Sequence, residues 1–181
     1  LATGNTKTFV LRGVLHWAKV LGKPRLNEYS GVNEWSVDLT PSPEGVKSLE
    51  DIGISDRLKT PKGKDTRTDR YLTFRQKEKN KEGDLNQPIR VQDIEGNPWE
   101  QNKLIGNGTT ADVKFIVRDY GKGKPKGVYI QAIRVLDHVP YQSQDFAPLD
   151  SDDEFFATGD ESHPSSPDVY EDSELDDDVP F

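Results

Sequence analysis

The 181 residues suit one domain of ordinary size plus an extension; 32% are hydrophobic, 31% are charged, and the formal net charge is −8. Cysteine is absent, which excludes disulfides, zinc–thiolate sites and a cysteine nucleophile. No apolar run approaches the ~20 residues that cross a bilayer, and no signal-peptide pattern opens the chain, so a soluble cytosolic protein without a membrane partner is expected.

The average charge conceals a segregation. Residues 1–141 hold all 24 Lys and Arg against 18 Asp and Glu, which leaves +6. Residues 142–181 hold the other 14 acids and no base. A mildly basic body, 1–141, is therefore expected to carry a strongly acidic tail, 142–181.

Along the body, residues 6–20 (TKTFVLRGVLHWAKV) predict a long strand, and Gly13 at its middle predicts a bend or bulge. Gly22 to Gly31 reads as a loop. Glu34–Thr40 alternates, with Trp35, Val37 and Leu39 on one face, as in a half-buried strand. Pro41-Ser42-Pro43-Glu44 predicts a helix start, with Val46, Leu49 and Ile52 along one face and an end near Gly53.

Ser55 to Arg70 is almost without apolar residues and reads as a mobile basic loop bearing Arg57, Lys59, Lys62, Lys64, Arg67 and Arg70. Tyr71–Lys77 predicts a strand with Leu72 and Phe74 inward and Tyr71, Thr73, Arg75 and Lys77 outward. Lys79 to Asn86 reads as polar punctuation, Ile89–Ile94 as a short strand, and Glu95-Gly96-Asn97-Pro98 as a turn. Thr109–Tyr120 alternates again, with Val113, Phe115 and Val117 inward and Lys114, Ile116, Arg118 and Tyr120 outward. A glycine-rich turn bearing Lys122, Lys124 and Lys126 leads to a return strand, Val128–Val139.

Five or six strands, one short helix and no alternating strand–helix rhythm argue for an all-β barrel or sandwich. A small Greek-key barrel of the oligonucleotide-binding (OB) type suits the strand count, the bent first strand and the basic loops. Trp17, Trp35 and Trp99 are expected in the core, because tryptophan is highly buried on average. After Tyr141 the pattern stops, and the acidic tail, too poor in apolar residues to fold alone, is expected to be disordered.

The tail closes on Asp176-Asp177-Asp178-Val179-Pro180-Phe181. Solubility gives no reason for a Val-Pro-Phe tip, whereas a stiff proline, a ring that fills a pocket and a carboxylate that pairs with Arg or Lys suit capture by a partner protein. This tip resembles the end of bacterial single-stranded DNA-binding proteins. The stretch Ile105-Gly106-Asn107-Gly108-Thr109, then Val113-Lys114-Phe115 and Leu136-Asp137-His138-Val139-Pro140-Tyr141, resembles the single-stranded DNA-binding proteins of tailed phages. The likeness covers about residues 100–141 and the tail, and is loose over 1–95. It implies an OB-fold that coats single-stranded DNA in phage replication, recombination or repair, in the cytoplasm of a bacterial host. It also implies a tail tip that recruits replication or recombination proteins (a polymerase, helicase or nuclease, or host proteins that bind such tails). A homodimer remains open.

Non-specific single-strand binding needs bases to meet phosphates and aromatic rings on which nucleobases stack. The outward set Tyr71, Arg75 and Lys77, the set Lys114, Arg118 and Tyr120, the six bases of 55–70 and the three lysines of 122–126 meet that need. Enzyme signals are weak. His16, His138 and His163 lack metal-site spacing, Gly106-Asn107-Gly108 alone is a poor phosphate-loop signal, and Asp112, Asp119 and Asp137 make a doubtful metal cluster. No catalytic residue, metal or cofactor is expected. Two rivals are a protein-interaction adaptor with an OB-like body and a DNA-mimic inhibitor acting through the tail.

Overall fold

Residues 5–142 are described by a computed structural model. The first strand, β1 (Asn5–Lys19), serves two neighbours. From Asn5 to Leu15 it pairs antiparallel with β6 (Thr109–Asp119), and from Gly13 to Lys19 with β3 (Val32–Pro41). The changeover falls at Gly13, where a Cβ would lie 2.1 Å from the carbonyl oxygen of Thr40. Only a residue without a side chain permits that approach, which explains the glycine inside an otherwise β-rich run.

On β3 are stacked β2 (Arg25–Asn27) and β4 (Leu72–Lys77), both antiparallel. On the other flank β6 pairs with β7 (Gly127–Asp137), and β5 (Arg90–Gln92) runs parallel to β7. β4 comes alongside β7 without a ladder between them, so the sheet curls into a half-barrel. β1, β3, β4, β6 and β7 are the strands of a five-stranded, partly open OB-type barrel.

Alternation decides what lies inside. Leu15, Val37, Leu39, Leu72, Phe74, Val113, Phe115 and Ile133 are buried, and the Phe74 and Phe115 rings pack at 5.3 Å. The helix α1 (Pro43–Ile52) starts where the sequence placed it: the Ser42 hydroxyl accepts the Gly45 N–H at 3.2 Å, and Pro43 stands in the first turn. It ends at Gly53, whose φ of 81° lies in the left-handed region that favours glycine. Leu49 carries its buried face and Ile52 packs beside it.

Three expectations are corrected. The segment 22–31 is not plain loop, because Arg25–Asn27 pairs with Val32–Glu34 in a short hairpin too brief for a periodic signal. Trp35 is buried, but Trp17 is 48% exposed and Trp99 is only partly buried against the core. The strand expected over 89–94 is confined to Arg90–Gln92, since Asp93 opens a turn in which its carbonyl accepts the Gly96 N–H at 3.1 Å. The partner-binding residues expected in the tail, Asp176, Asp177, Asp178, Val179, Pro180 and Phe181, lie outside the described residues, as does the expected disorder of the tail.

Candidate nucleic-acid interface

In an OB barrel, the outer face of the second and third barrel strands and the loops at its rim are where oligonucleotides bind. Here that face belongs to β3 and β4. Tyr71, just before β4, and Thr73, Arg75 and Lys77 along it point outward while Leu72 and Phe74 are buried. Opposite them on β3 stand Glu34, Ser36 and Asp38, with Ser36 against Arg75 and Asp38 against Thr73.

Two open grooves meet on this face. The larger, about 1300 Å³, runs between the end of β4, the 79–88 loop and the β6–β7 hairpin. Arg75, Lys77, Lys79, Lys81, Arg90 and Arg118 line it, against the acids Glu34 and Glu82. Tyr120 and Tyr129 form one wall, their hydroxyls 2.7 Å apart, and the Arg118 guanidinium lies 5.3 Å from the Tyr129 ring centre. That shared hydrogen bond, with help from Arg118, pulls the Tyr120 hydroxyl below its ordinary pKa; the same bond and burial push that of Tyr129 up against the charge of Arg118. The smaller groove, about 410 Å³, is lined by Lys19, Arg25 and Tyr29 among others, and shares Glu34 and Arg75 with the first. Tyr29 is fully exposed at the tip of the β2–β3 hairpin. The two grooves thus form one surface centred on Arg75, with cations along its floor and tyrosines at both ends. Cations match a phosphate backbone and exposed rings match nucleobase faces.

The residues singled out from the sequence divide into groups. Arg75, Lys77, Arg118 and Tyr120 line the large groove. Lys114 sits one rung beyond, on the outer face of β6 between Val10 and Ala132. Lys122 and Lys124 are exposed on the β6–β7 turn, whereas Lys126 turns back, its ammonium donating at 2.7 Å to the Ile52 carbonyl at the end of α1. Arg57 donates to the Lys126 carbonyl, and Lys59 donates to the Thr73 hydroxyl at 3.2 Å. Lys62, Lys64 and Arg70 are exposed.

Arg67 stands apart. Its side chain is only 8% exposed and is held by Asp38 at 2.9 Å and Asp65 at 2.7 Å. Burial opposes its charge, but the bonds to Asp65 and Asp38 outweigh that and raise its pKa. The guanidinium lies 3.6 Å from the Tyr71 ring centre and 4.1 Å from that of Trp17. Trp17 itself lies within a register shift between His16 and Lys19 and has φ 47°, where a bulky side chain costs about 1–3 kcal/mol. The Asn107 side chain accepts its N–H at 2.8 Å, and the Gly108 N–H reaches the Leu15 carbonyl at 3.0 Å. The Gly106-Asn107-Gly108 turn therefore acts as a strut for β1. Beside it His16 is partly buried with Nδ1 unpartnered, and burial followed by the charge of Arg67 lowers its pKa.

A second arginine cluster lies on the outer face of β1, β6 and β7. Asp112, its side chain 6% exposed, accepts from Arg12 at 2.8 Å and from Arg134 at 2.9 Å. The Arg12 hydrogen bond is the main cause holding the Asp112 carboxyl below the usual range. Among the described residues no group of three His, Cys, Asp or Glu side chains could hold a metal ion, so Asp112, Asp119 and Asp137 do not converge. Among them, too, no helix is long and apolar enough to cross a membrane.

Sequence reasoning missed Lys19, Arg25, Lys79, Lys81, Arg90, Tyr29 and Tyr129. Tyr129 could have been found, since the hairpin register sets it opposite Ile116, beside Arg118 and Tyr120. Lys79 and Lys81 reach the groove only through the folding of their loop.

No protein-family model matches this chain, and no curated protein matches it in sequence. Solved structures do. The single-stranded DNA-binding protein gp2.5 encoded by bacteriophage T7 superposes with a TM-score of 0.53 at 15% identity, over 79% of this chain and 98% of that one. The single-stranded DNA-binding protein of bacteriophage Enc34 does so at 0.51 and 11% identity, over 82% and 89%. The same Enc34 protein in complex with single-stranded DNA gives 0.51 at 12% identity, over 75% and 89%. The fold is that of these phage proteins.

Proposed function

We propose that this chain is a sequence-independent single-stranded DNA-binding protein in two parts: a body, 1–141, that coats and protects single strands, and an acidic tail, 142–181, that recruits partners. The observation that carries this reading is the continuous surface centred on Arg75, in which eight groove cations and three exposed tyrosines share the ligand face of an OB-type barrel. Cation and ring contacts suit any sequence, because every nucleotide offers a phosphate and a π-face. The exposed bases of 57–70 and of the 122–124 turn flank that face and extend the positive field around it.

Phage replication, recombination and repair are the settings in which such a coat serves, within the bacterial host's cytoplasm. The Asp176–Phe181 tip supplies acids, a stiff proline and a terminal ring for a replication or recombination partner with a basic-rimmed apolar pocket. With 14 acids and no base, the tail also competes for the body's cations when DNA is scarce.

The test is a fluorescence titration of the full chain with poly(dT), duplex DNA and RNA at two salt concentrations. Saturable binding to poly(dT), far weaker binding to duplex, and a log–log salt slope of about −0.7 per phosphate contacted are expected. No binding at low salt by the full chain or by residues 1–141 sinks the reading and puts a protein-interaction adaptor first.

A further inference from the structure

Trp17 spends conformational energy without gaining burial. It is held at φ 47°, pinned through its N–H to Asn107, and left 48% exposed. A strained aromatic that the fold keeps in solvent is a placement that packing alone does not account for. Arg67 explains how the ring is kept still. Its guanidinium lies against both Trp17 and Tyr71, and its own charge is consumed by Asp38 and Asp65. An arginine so neutralised and so buried is a poor phosphate contact and a good ring support.

We infer that Trp17 is a stacking platform for a nucleobase and that Arg67 is its positioning residue. The inference rests on the single-strand reading above and adds to it a site away from the groove residues. Geometry links the two: Tyr71, which shares the Arg67 guanidinium, immediately precedes β4 and continues the outward row of Arg75 and Lys77. At about 3.3 Å per residue, Tyr71 lies some 13 Å along the strand from Arg75, so one single strand can follow the row from the platform into the groove. A nucleobase is the ligand class because what remains open is a flat, uncharged indole surface beside a path of cations.

The experiment uses the full chain, oligo(dT) and a salt series. Trp17→Ala is expected to weaken binding about 5- to 150-fold, the stacking of one base, with the salt slope unchanged. Trp17→Phe should recover most of that loss. Arg67→Lys should weaken binding less, again at constant slope, and raise the acrylamide accessibility of tryptophan emission in the free protein. That rise should vanish in the Trp17→Phe background, which a merely structural role of Arg67 would not produce. In the unsubstituted chain, oligo(dT) should shield the acrylamide-accessible emission, a readout that holds even if Trp17→Ala fails to fold. Unchanged affinity in folded Trp17→Ala, or unshielded emission at saturation, overturns the platform. A slope reduced by about 0.7 in Arg67→Gln, which removes the charge that Arg67→Lys keeps, overturns the positioning role and makes Arg67 a phosphate contact. Failure of the unsubstituted chain to bind oligo(dT) takes down both this inference and the reading beneath it.

Discussion

Two arginine–aspartate clusters sit on the outside of this barrel, and they are built in opposite senses. On the β3–β4 face the arginine is buried and two acids hold it: Arg67 is 8% exposed between Asp38 and Asp65. On the β1–β6–β7 face the acid is buried and two arginines spread from it: Arg12 and Arg134 are 62% and 49% exposed around Asp112. The first cluster ends in aromatic rings and gives no net cation to the surface. The second presents cations but has no exposed ring within its bonds. A count of arginines therefore misjudges both faces. What a basic residue offers a nucleic acid depends on which partner the fold has already given it, and here the groove cations around Arg75 supply the charge while Arg67 supplies order.

The largest expected effect separates the groove from the Asp112 face. Replacing Lys77, Lys81 and Arg90 by Ala should lower the salt slope for poly(dT) by about 2 and weaken binding by orders of magnitude at low salt. Arg12→Ala should leave both quantities nearly unchanged. A comparable loss for Arg12→Ala would move the binding face to β1–β6–β7. Next comes stability. Arg67→Ala takes the guanidinium from two part-buried carboxylates, leaving Asp38 the Thr73 hydroxyl and Asp65 the residue-67 N–H, and should cost about 1–3 kcal/mol in urea unfolding, whereas Arg12→Ala, with Asp112 still held by Arg134, should barely shift the midpoint. Equal midpoints would show that the two clusters are not opposites in energy.

Deleting residues 142–181 should tighten DNA binding several-fold at low salt and have little effect at high salt, as screening removes the competition. Unchanged affinity counts against the tail as a competitor. The smallest effect is expected from His16. Its folded pKa lies below the ordinary 6.5, so below that value the unfolded chain takes the proton more readily than the folded one. Stability should fall as pH drops from about 6.5 toward the folded pKa and level off beneath it; His16→Gln should remove that step from a pH series of melting curves.

Much of the fold was legible because half-buried strands alternate. Trp35, Val37 and Leu39 on β3, Leu72 and Phe74 on β4, and Val113, Phe115 and Val117 on β6 are buried where the alternation put them. Ser42, Pro43 and Gly53 marked the helix ends, and Gly13 marked the crossing of β1 between two partners. What stayed hidden depends on contacts distant in the chain. Nothing near Trp17 says that Asn107, 90 residues on, will pin it outward, and nothing near Arg67 says that Asp38 will bury it. The outward rows of β4 and β6 could be read, but not that the 79–88 loop folds over to add Lys79 and Lys81 to the same groove. Local periodicity fixes which way a strand side chain points; it does not fix what meets it there.

The most direct test of the whole account is photo-crosslinking of the full chain to oligo(dT), followed by mass-spectrometric mapping of the modified residues. Adducts on Trp17, Tyr29, Tyr71, Tyr120 and Tyr129 are predicted, all on or beside the β3–β4 face. Adducts confined to the Arg12–Asp112–Arg134 face would contradict it.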